Sequence, residues 1–513
     1  MSVPPYRNIQ EPDRNLSVRE DSTIDKAGDL DTLDKSFESG KILGNILSLG
    51  SGEIVSRIIA FLGITYVARR LGPEEFGIIG FAAALFGYLA LTVTAGFNDI
   101  GAREVARRPR EASSIAASVI IVRLALASVA LLTIGLVAWS LNKPPTVKLV
   151  LLLMGLLFFP LALDTSWVYK GLERNRLVGI ALILNQILYV GAMLIVVNGP
   201  RDVTLVPVAQ FLGEMSAALV LAVPLFRSGK IRLNLREGLS IFRSSSFWAV
   251  SRLMRAVMYT FSVVLLGFLL GEREVGLYTA PYRICFLLVA IAVVIHSSYL
   301  PAITRAATQG MEQAVAAAER SVNLAATIAA PLIVGGVITA ASLLQVVFGA
   351  EYREGAAAFR FLILSIGFVF ILGAVHNMLV VYDRLKAEML IFAIAAGLNV
   401  GLNILIIPRY GLVGAGFVAA LAEAVTLLLG LLVLRKIGVR YSPRFIWRPV
   451  AASCLMGASL IALGTHRELA VYLSAGCVVY LFALVILRGI PQDVRPLLQT
   501  AASFAGGFRR GGC

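Results

Sequence analysis

The sequence predicts an all-α polytopic membrane protein with about fourteen transmembrane helices. Hydrophobic residues make up 58% of the 513 positions and charged residues only 15%, whereas soluble proteins carry about 25% charged residues. The mean hydropathy of +0.82 points the same way. So few charges cannot cover the surface of a water-soluble protein of 55.0 kDa, so a soluble enzyme is excluded.

Long apolar stretches recur from residue 42 onward. Each is close to the ~20 residues that a helix needs to cross the hydrocarbon core of a bilayer. The stretches are continuous and do not alternate at every second position, which favours helices over the strands of a membrane barrel. The predicted spans are roughly 42–67, 76–97, 113–139, 148–169, 177–197, 204–226, 247–270, 276–300, 322–348, 356–381, 388–408, 413–434, 449–464 and 469–488.

Lys and Arg are distributed unequally between the two sides of the predicted bundle. The terminal segments and the even-numbered gaps between spans hold 31 of the 46 basic residues, and the odd-numbered gaps hold 10. Cytoplasmic loops carry the excess of basic residues, so we expect both termini in the cytoplasm. Membrane topology thereby accounts for the net charge of +15, and we expect no nucleic-acid partner.

One eight-residue pattern occurs twice. Leu71–Ile78 and Leu270–Leu277 share L-G-x-x-E-Z-G-Z, where Z is apolar, after the first and the seventh span. Six spans separate the copies, which predicts two parallel six-helix halves around a central cavity, as in many transporters; chance similarity is the alternative. The expected regions are a disordered cytoplasmic tail (1–40), the N-terminal half (41–235), the C-terminal half (236–440), two additional transmembrane helices (441–490) and a cytoplasmic tail (491–513).

The sequence offers little for catalysis. It contains no G-x-x-x-x-G-K-[ST] phosphate loop, no H-E-x-x-H motif and no cysteine–histidine cluster with metal-ligand spacing. The longest gaps, near 227–246 and 301–321, lie on the predicted cytoplasmic side, so no external loop could hold a catalytic domain. We therefore expect a protein that is not an enzyme and needs no cofactor or metal.

Charges within the spans are the functional candidates, because ionisable groups in a bilayer are costly. Five arginines lie within predicted spans: Arg57, Arg123, Arg252, Arg255 and Arg283. A guanidinium stays charged and binds phosphate through paired hydrogen bonds, so the set predicts a cavity for an anionic ligand. Two alternatives remain. Arg252 and Arg255 could extend to the membrane interface, and Arg57 and Arg283 could form ion pairs between helices.

Two embedded acids, Glu53 and Glu214, are candidates for ion coupling. A carboxylate in a partly dry cavity can bind and release a proton during a transport cycle. For Glu53 the alternative is an ion pair with Arg57, one helical turn later.

Several motifs resemble those of a known family. The run Val67–Gly77 is similar to the A-R-x-L-G-P-E-x-F-G turn of bacterial polysaccharide (O-antigen-type) flippases. These flippases belong to the multidrug/oligosaccharidyl-lipid/polysaccharide exporter superfamily. Further similar motifs follow in chain order: Asp99–Gly101 with Arg103 and Glu104, Trp167 with Gly171–Arg174, and Asn399, Asn403, Pro408, Tyr410, Gly411, Gly414 and Ala415. The last two spans resemble the fourteen-helix arrangement of lipid II flippases.

The resemblance implies alternating-access movement of a polyprenyl-diphosphate-linked oligosaccharide across the bacterial cytoplasmic (inner) membrane. The product would serve cell-surface polysaccharides such as O-antigen, lipopolysaccharide or exopolysaccharide. Implied partners are the lipid-linked glycan, the bilayer and polysaccharide polymerase or assembly proteins. The family's cavity role carries over to Arg57, Arg255 and Arg283, which fit by span and depth. The alternatives are a multidrug antiporter for organic cations and a membrane glycan polymerase.

Overall fold

The computed structural model describes residues 25–94, 96–228, 231–442, 446–463 and 469–491, with side chains from residue 55 onward except 228 and 245–252. These residues form helices and connecting turns, with no strand among them. The helices are α1 (Asp25–Thr94), α2 (Phe97–Arg107), α3 (Ala112–Ser140), α4 (Pro145–Leu156), α5 (Phe158–Leu163), α6 (Ser166–Gly171), α7 (Asn175–Val196), α8 (Leu205–Ser228), α9 (Leu235–Leu269), α10 (Glu272–Gln309), α11 (Met311–Phe348), α12 (Ala356–Val381), α13 (Leu385–Lys436), α14 (Trp447–Leu463) and α15 (Leu469–Ile486).

Two of the long helices are each broken at a glycine. Gly72 inside α1 has φ 81° and Gly411 inside α13 has φ 55°, conformations that glycine adopts at little steric cost. Among the described residues, ten helices are long and apolar enough to cross a membrane, and Leu253–Leu269 and Trp447–Leu463 are shorter apolar helices. Each of the two glycines divides one of the ten long helices, which gives twelve apolar segments. The two shorter apolar helices bring the number to fourteen. The predicted all-α polytopic fold is confirmed.

The first helix begins earlier than the sequence predicts. α1 starts at Asp25, inside the segment 1–40 that was expected to be a disordered tail. A helix adds one backbone hydrogen bond for each residue by which it extends, so a polar segment can continue the turns of the span that follows it. Residues 1–24 and 492–513, which hold the rest of the two expected tails, lie outside the described residues.

The bundle has two distinct ends. We call the end that carries Gly72, Gly271 and Gly349 the turn end, and the opposite end, which carries the connections near Arg108, the basic end. At the turn end one apolar core draws residues from both parts of the chain, including Phe76 and Phe81 on α1 and Tyr278 on α10. Separate cores lie around Trp167 and around Met378. Both parts of the chain thus contribute to one core at the turn end.

Trp167 explains two of the sequence motifs. Its side chain is fully buried, and a Cβ atom added at Gly101 would lie 2.7 Å from its ring. The tryptophan motif at the end of the fourth span therefore packs on the D-I-G motif of α2. Both motifs have a structural role at the basic end of the bundle.

We expect Trp167→Ala to lower the thermal stability of the protein strongly. Truncating a buried tryptophan leaves a large cavity and costs about 3–5 kcal/mol. The matched control is Trp447→Ala, because Trp447 is 53% exposed. Thermal unfolding in detergent should show a clear decrease in melting temperature for the first variant alone, and equal decreases would contradict this packing role.

Candidate functional site

The two copies of the repeated pattern pack directly against each other. A Cβ atom at Gly77 would lie 1.7 Å from the carbonyl oxygen of Glu272, and one at Gly276 would lie 1.8 Å from the carbonyl oxygen of Pro73. The first glycine of each copy, Gly72 or Gly271, has a positive φ. Each copy therefore uses one glycine to turn the chain and the other to let the two backbones meet.

Polar contacts close the turn end further. The Nζ atom of Lys143 lies 2.9 Å from Oε1 of Glu272, and both side chains are more than four-fifths buried. The Tyr352 hydroxyl donates to the carbonyl of Ala68 at 3.0 Å, and Arg69 Nε donates to the carbonyl of Val347 at 2.7 Å. Each contact joins residues from opposite parts of the chain, so the structure is closed at this end.

We expect Lys143→Met to weaken this closure. Removing one partner of a buried ion pair leaves an uncompensated charge and costs about 3 kcal/mol. Because the pair is formed when the turn end is closed, this cost destabilises the closed state. A membrane-impermeant maleimide should label a cysteine introduced at Thr279, which is buried at this contact, faster in the variant than in the wild type. The charge-reversed double variant Lys143→Glu/Glu272→Lys should recover much of the wild-type rate. No recovery would show that the ion pair does not hold the end closed.

The candidate arginines differ in how far their side chains are accessible. Arg57 and Arg255 are exposed and Arg283 is half-buried. At a rise of 1.5 Å per residue, Arg283 lies about 17 Å along its helix from the turn end, and Arg57 and Arg255 lie about 22–24 Å from it. The similar depth of Arg57 and Arg255 fits the repeat. The Arg252 side chain lies outside the described residues, as does that of Glu53.

Arg123 occupies a different environment. Its side chain is fully buried, and Nη1 donates to the main-chain carbonyl of Asp164 at 3.0 Å. Its Nε and Nη2 atoms have no hydrogen-bond partner within the described structure. A ligand could reach this guanidinium only if α3 and the α5–α6 segment moved apart. Sequence depth alone could not show which way this side chain points.

Arg283 faces the other part of the chain. It lies within electrostatic reach of the Tyr189 hydroxyl on α7, and Glu214 on α8 acts on the same hydroxyl. Gly213, beside Glu214, allows α8 to approach α7 closely, because a Cβ there would meet the Asn185 side chain at 2.6 Å. Tyr189 therefore lies within electrostatic reach of a cation of one part of the chain and a carboxylate of the other.

Glu214 also borders a cavity of about 340 Å³ between α1, α5, α6, α7 and α8. Its Oε1 atom accepts a hydrogen bond from Gln210 at 2.8 Å. Asp164 lies in the same lining, in the break between α5 and α6, where its carboxylate accepts the amide and hydroxyl of Ser166 at 2.9 and 2.8 Å. An interrupted membrane helix beside a cavity that contains charged side chains is typical of transporter ligand and ion sites.

Arg255 belongs to a second polar group, inside the C-terminal part. Its guanidinium carbon lies 4.5 Å from the centre of the Phe392 ring, a distance that allows a cation–π contact. Glu423 is 4% exposed and lies within electrostatic reach of Tyr259 and Arg255. Its Oε2 atom has no hydrogen-bond partner within the described structure.

Sequence reasoning missed some of these residues. Asp164 could have been assigned a role, because it is an acid within a predicted span, four residues after Pro160. The Lys143–Glu272 pair could not, since its members are 129 positions apart in sequence and the repeat that contains Glu272 gives no indication of its partner. Among the described residues no group of histidine, cysteine and acidic side chains could hold a metal ion.

Comparison with known proteins decides the family. A family model described as "Polysaccharide biosynthesis protein" matches residues 42–307, which is more than half of the chain. The chain belongs to this family. The resemblance seen in the motifs of α1 and α2 is thereby confirmed at the level of the family.

Individual relatives support the same placement. A protein of Escherichia coli strain K12, named "Putative O-antigen transporter", is 24% identical over 373 residues, covering 69% of this chain and 87% of that protein. The structure of the lipid II flippase MurJ in an inward closed conformation aligns with a TM-score of 0.71 at 13% identity, over 88% of this chain and 99% of MurJ.

A second solved structure is also similar. An inward-facing multidrug resistance transporter of the MATE family aligns with a TM-score of 0.63 at 17% identity, covering 77% of this chain and 99% of that one. At such low identity the two structures show the fold alone. This member of the polysaccharide biosynthesis family thus has the polytopic fold shared by MurJ and the MATE transporter.

Proposed function

We propose that this protein is a flippase that moves a polyprenyl-diphosphate-linked oligosaccharide across the cytoplasmic membrane of a bacterium. The observation that carries the proposal is the set of accessible arginines within the spans, Arg57, Arg255 and Arg283, below a closed turn end. A charged side chain at the centre of a bilayer costs at least about 2.5 kcal/mol. An accessible arginine there is far less costly in a hydrated cavity than against lipid.

The sidedness of the proposal comes from the basic residues. The basic end would face the cytoplasm, with both termini on that side, because cytoplasmic loops are rich in Lys and Arg. The turn end would then face the periplasm. A bundle closed at the turn end would accept its lipid from the cytoplasmic leaflet, where lipid-linked sugars would be assembled.

The arginines would act on the diphosphate of the lipid carrier. Fixed guanidinium groups compensate the phosphate charges and donate paired hydrogen bonds while the group passes the midplane. The polyprenyl chain would stay in the bilayer and the sugars in the water-filled cavity. No bond is made or broken, so the protein would work as a transporter without catalysis.

Glu214 would couple transport to an ion gradient. The Glu214 carboxylate and the Arg283 guanidinium both act electrostatically on the Tyr189 hydroxyl. Binding or loss of a proton at Glu214 therefore changes how strongly the cavity attracts a diphosphate. Glu53 is the other proposed coupling residue. Polysaccharide polymerase or assembly proteins would receive the product at the periplasmic face.

We expect Glu214→Gln to uncouple transport from the proton gradient. The amide keeps the hydrogen-bonding shape and removes the titrating group, so the protein should fold and bind substrate. In proteoliposomes, an imposed pH gradient should stimulate transport by the wild type and leave the variant unchanged. Equal stimulation of both proteins would remove Glu214 from the coupling mechanism.

Depletion in cells tests the function itself. Loss of a flippase should leave lipid-linked oligosaccharides accumulated on the cytoplasmic face of the membrane. Accumulation on the outer face would indicate a polymerase, and an unchanged lipid pool would indicate another cargo. Sidedness can be read from labelling of the sugars in intact spheroplasts and in inverted membrane vesicles.

A multidrug antiporter for organic cations is the second candidate. The cavity lined by Phe86, Asp164 and Glu214 favours it, since carboxylates and aromatic rings attract cations. Lys170 lines the same cavity and weakens that attraction. Export of a fluorescent organic cation, measured in parallel with glycan transport, separates the two functions.

A further inference from the structure

A cavity of about 640 Å³ opens at the basic end, away from the arginines discussed above. It lies between α11, α12, the last turns of α13 and the connection that leads to α14. The residues that line it are Glu319, Val322, Ile371, Leu427, Leu431, Arg435, Val439, Arg440, Tyr441, Ser442 and Ile446. It is therefore located where the two C-terminal helices join the rest of the bundle.

The lining of this cavity changes character with depth. Arg435 and Arg440 lie at the basic end, where α13 finishes at Lys436. Leu431 and Leu427 lie one and two turns further into the bundle on the same helix, about 6 and 12 Å from Arg435. The cavity thus has a charged mouth at the membrane surface and apolar walls at the level of the acyl chains.

Tyr441 and Ser442, at the start of the connection to α14, are held in place by hydrogen bonds. The Tyr441 hydroxyl donates to the carbonyl of Ala374 on α12 at 3.3 Å. The amide of Ser442 donates to Oε1 of Glu319 on α11 at 2.5 Å. One carboxylate oxygen of Glu319 therefore accepts a hydrogen bond from a backbone amide. Arg435 and Arg440 together carry one more positive charge than the single negative charge of Glu319.

Arg435 also borders a second groove, of about 490 Å³, between the two segments of α13 that Gly411 separates. Leu390, Ile394 and Leu432 form apolar walls of this groove, and Lys436 lies beside Arg435 at its mouth. A single headgroup at Arg435 is therefore placed between two apolar grooves. That arrangement suits a lipid with two acyl chains.

We propose that this cavity binds an anionic glycerophospholipid from the leaflet at the basic end, with its phosphate at Arg435 and Arg440. Basic pockets between transmembrane helices at the cytoplasmic face are suited to anionic headgroups, and each guanidinium can donate paired hydrogen bonds to phosphate. The bound lipid would fill the junction between the C-terminal half and the α14–α15 pair. The site is separate from the proposed transport cavity, so either assignment can fail without the other.

Native mass spectrometry of the full-length protein tests this site, with phosphatidylglycerol and phosphatidylcholine of identical chains as the probes. The wild type should retain phosphatidylglycerol about tenfold better, because both lipids offer a phosphate and only phosphatidylcholine brings a choline cation beside the two arginines. Arg435→Gln/Arg440→Gln should lose this preference. The control Arg227→Gln/Arg236→Gln removes the same charge from exposed positions at the same end and should behave as wild type.

A second variant and two competitors complete the test. Leu431→Trp fills the apolar part without changing charge and should also reduce phosphatidylglycerol retention. Inorganic phosphate and a polyprenyl phosphate with a single chain should not displace the lipid. The proposal is overturned if the double variant keeps the preference, if both phospholipids bind the wild type equally, or if either competitor displaces phosphatidylglycerol.

Discussion

Arg283→Ala should abolish surface polysaccharide at normal levels of the protein. Arg283 lies nearest to the membrane midplane of the accessible arginines and faces the other half near Tyr189. Without it a diphosphate must cross that depth with less compensating charge, and the minimum cost of an unpaired charge there, about 2.5 kcal/mol, corresponds to roughly a hundredfold lower rate. Immunoblots measure the amount of surface glycan and the level of the protein.

Related variants define what the arginine contributes. Arg57→Ala should have a similarly large effect, because Arg57 is also accessible within its span. Arg283→Lys should rescue only partly, since lysine keeps the charge and loses the bidentate geometry. The control is Arg227→Ala, at an exposed position on α8 at the basic end, which should leave the glycan unchanged. Wild-type glycan in both alanine variants would contradict the cationic-cavity mechanism.

Gly77→Ala should block transport by preventing closure of the turn end. The added Cβ would lie 1.7 Å from the carbonyl oxygen of Glu272, and a backbone atom cannot move aside as a flexible side chain can. Overpacking of this kind costs about 1–3 kcal/mol. It destabilises the closed state, in which α1 and α10 are in contact. The closed–open equilibrium would then shift toward the open state by a factor of about five to over one hundred.

Cysteine accessibility measures this shift directly. Thr279 is buried at the contact and packs where a Cβ at Gly80 would lie, so Thr279→Cys in a background without native cysteines reports opening. A membrane-impermeant maleimide should label it much faster when Gly77→Ala is present. Gly87→Ala on the same helix is the control, because nothing lies within 4 Å of its added Cβ. Unchanged labelling with full transport would show that the close approach at Gly77 is not needed.

The fold was largely predictable because membrane spans depend on local composition. Continuous apolar runs define the helices, and the two glycines Gly72 and Gly411 that break the longest ones fall between predicted spans. The repeat predicted equivalent turns in the two halves. It could not predict that Gly77 and Gly276 pack against the opposite copy, since nothing in either motif encodes its tertiary partner.

The candidate site was predictable only in part, because sequence gives the depth of a residue and not its direction. Arg57 and Arg255 are accessible as the cavity hypothesis requires, yet Arg123, also within a span, is fully buried against Asp164. The helical periodicity of α3 cannot resolve this, as the helix is apolar on all sides. The roles of Arg252 and Glu53 stay predictions.

The most direct test of the central claim is reconstituted transport of a polyprenyl-diphosphate-linked oligosaccharide. In proteoliposomes whose outer leaflet has been cleared of accessible glycan, the wild type should bring internal glycan lipid to the surface, where an impermeant reagent oxidises the sugar. Arg283→Ala should behave like empty liposomes, and Arg227→Ala like the wild type. If the wild type exposes no more glycan lipid than empty liposomes, or if Arg283→Ala exposes as much as the wild type, the arginine-lined flippase mechanism is wrong.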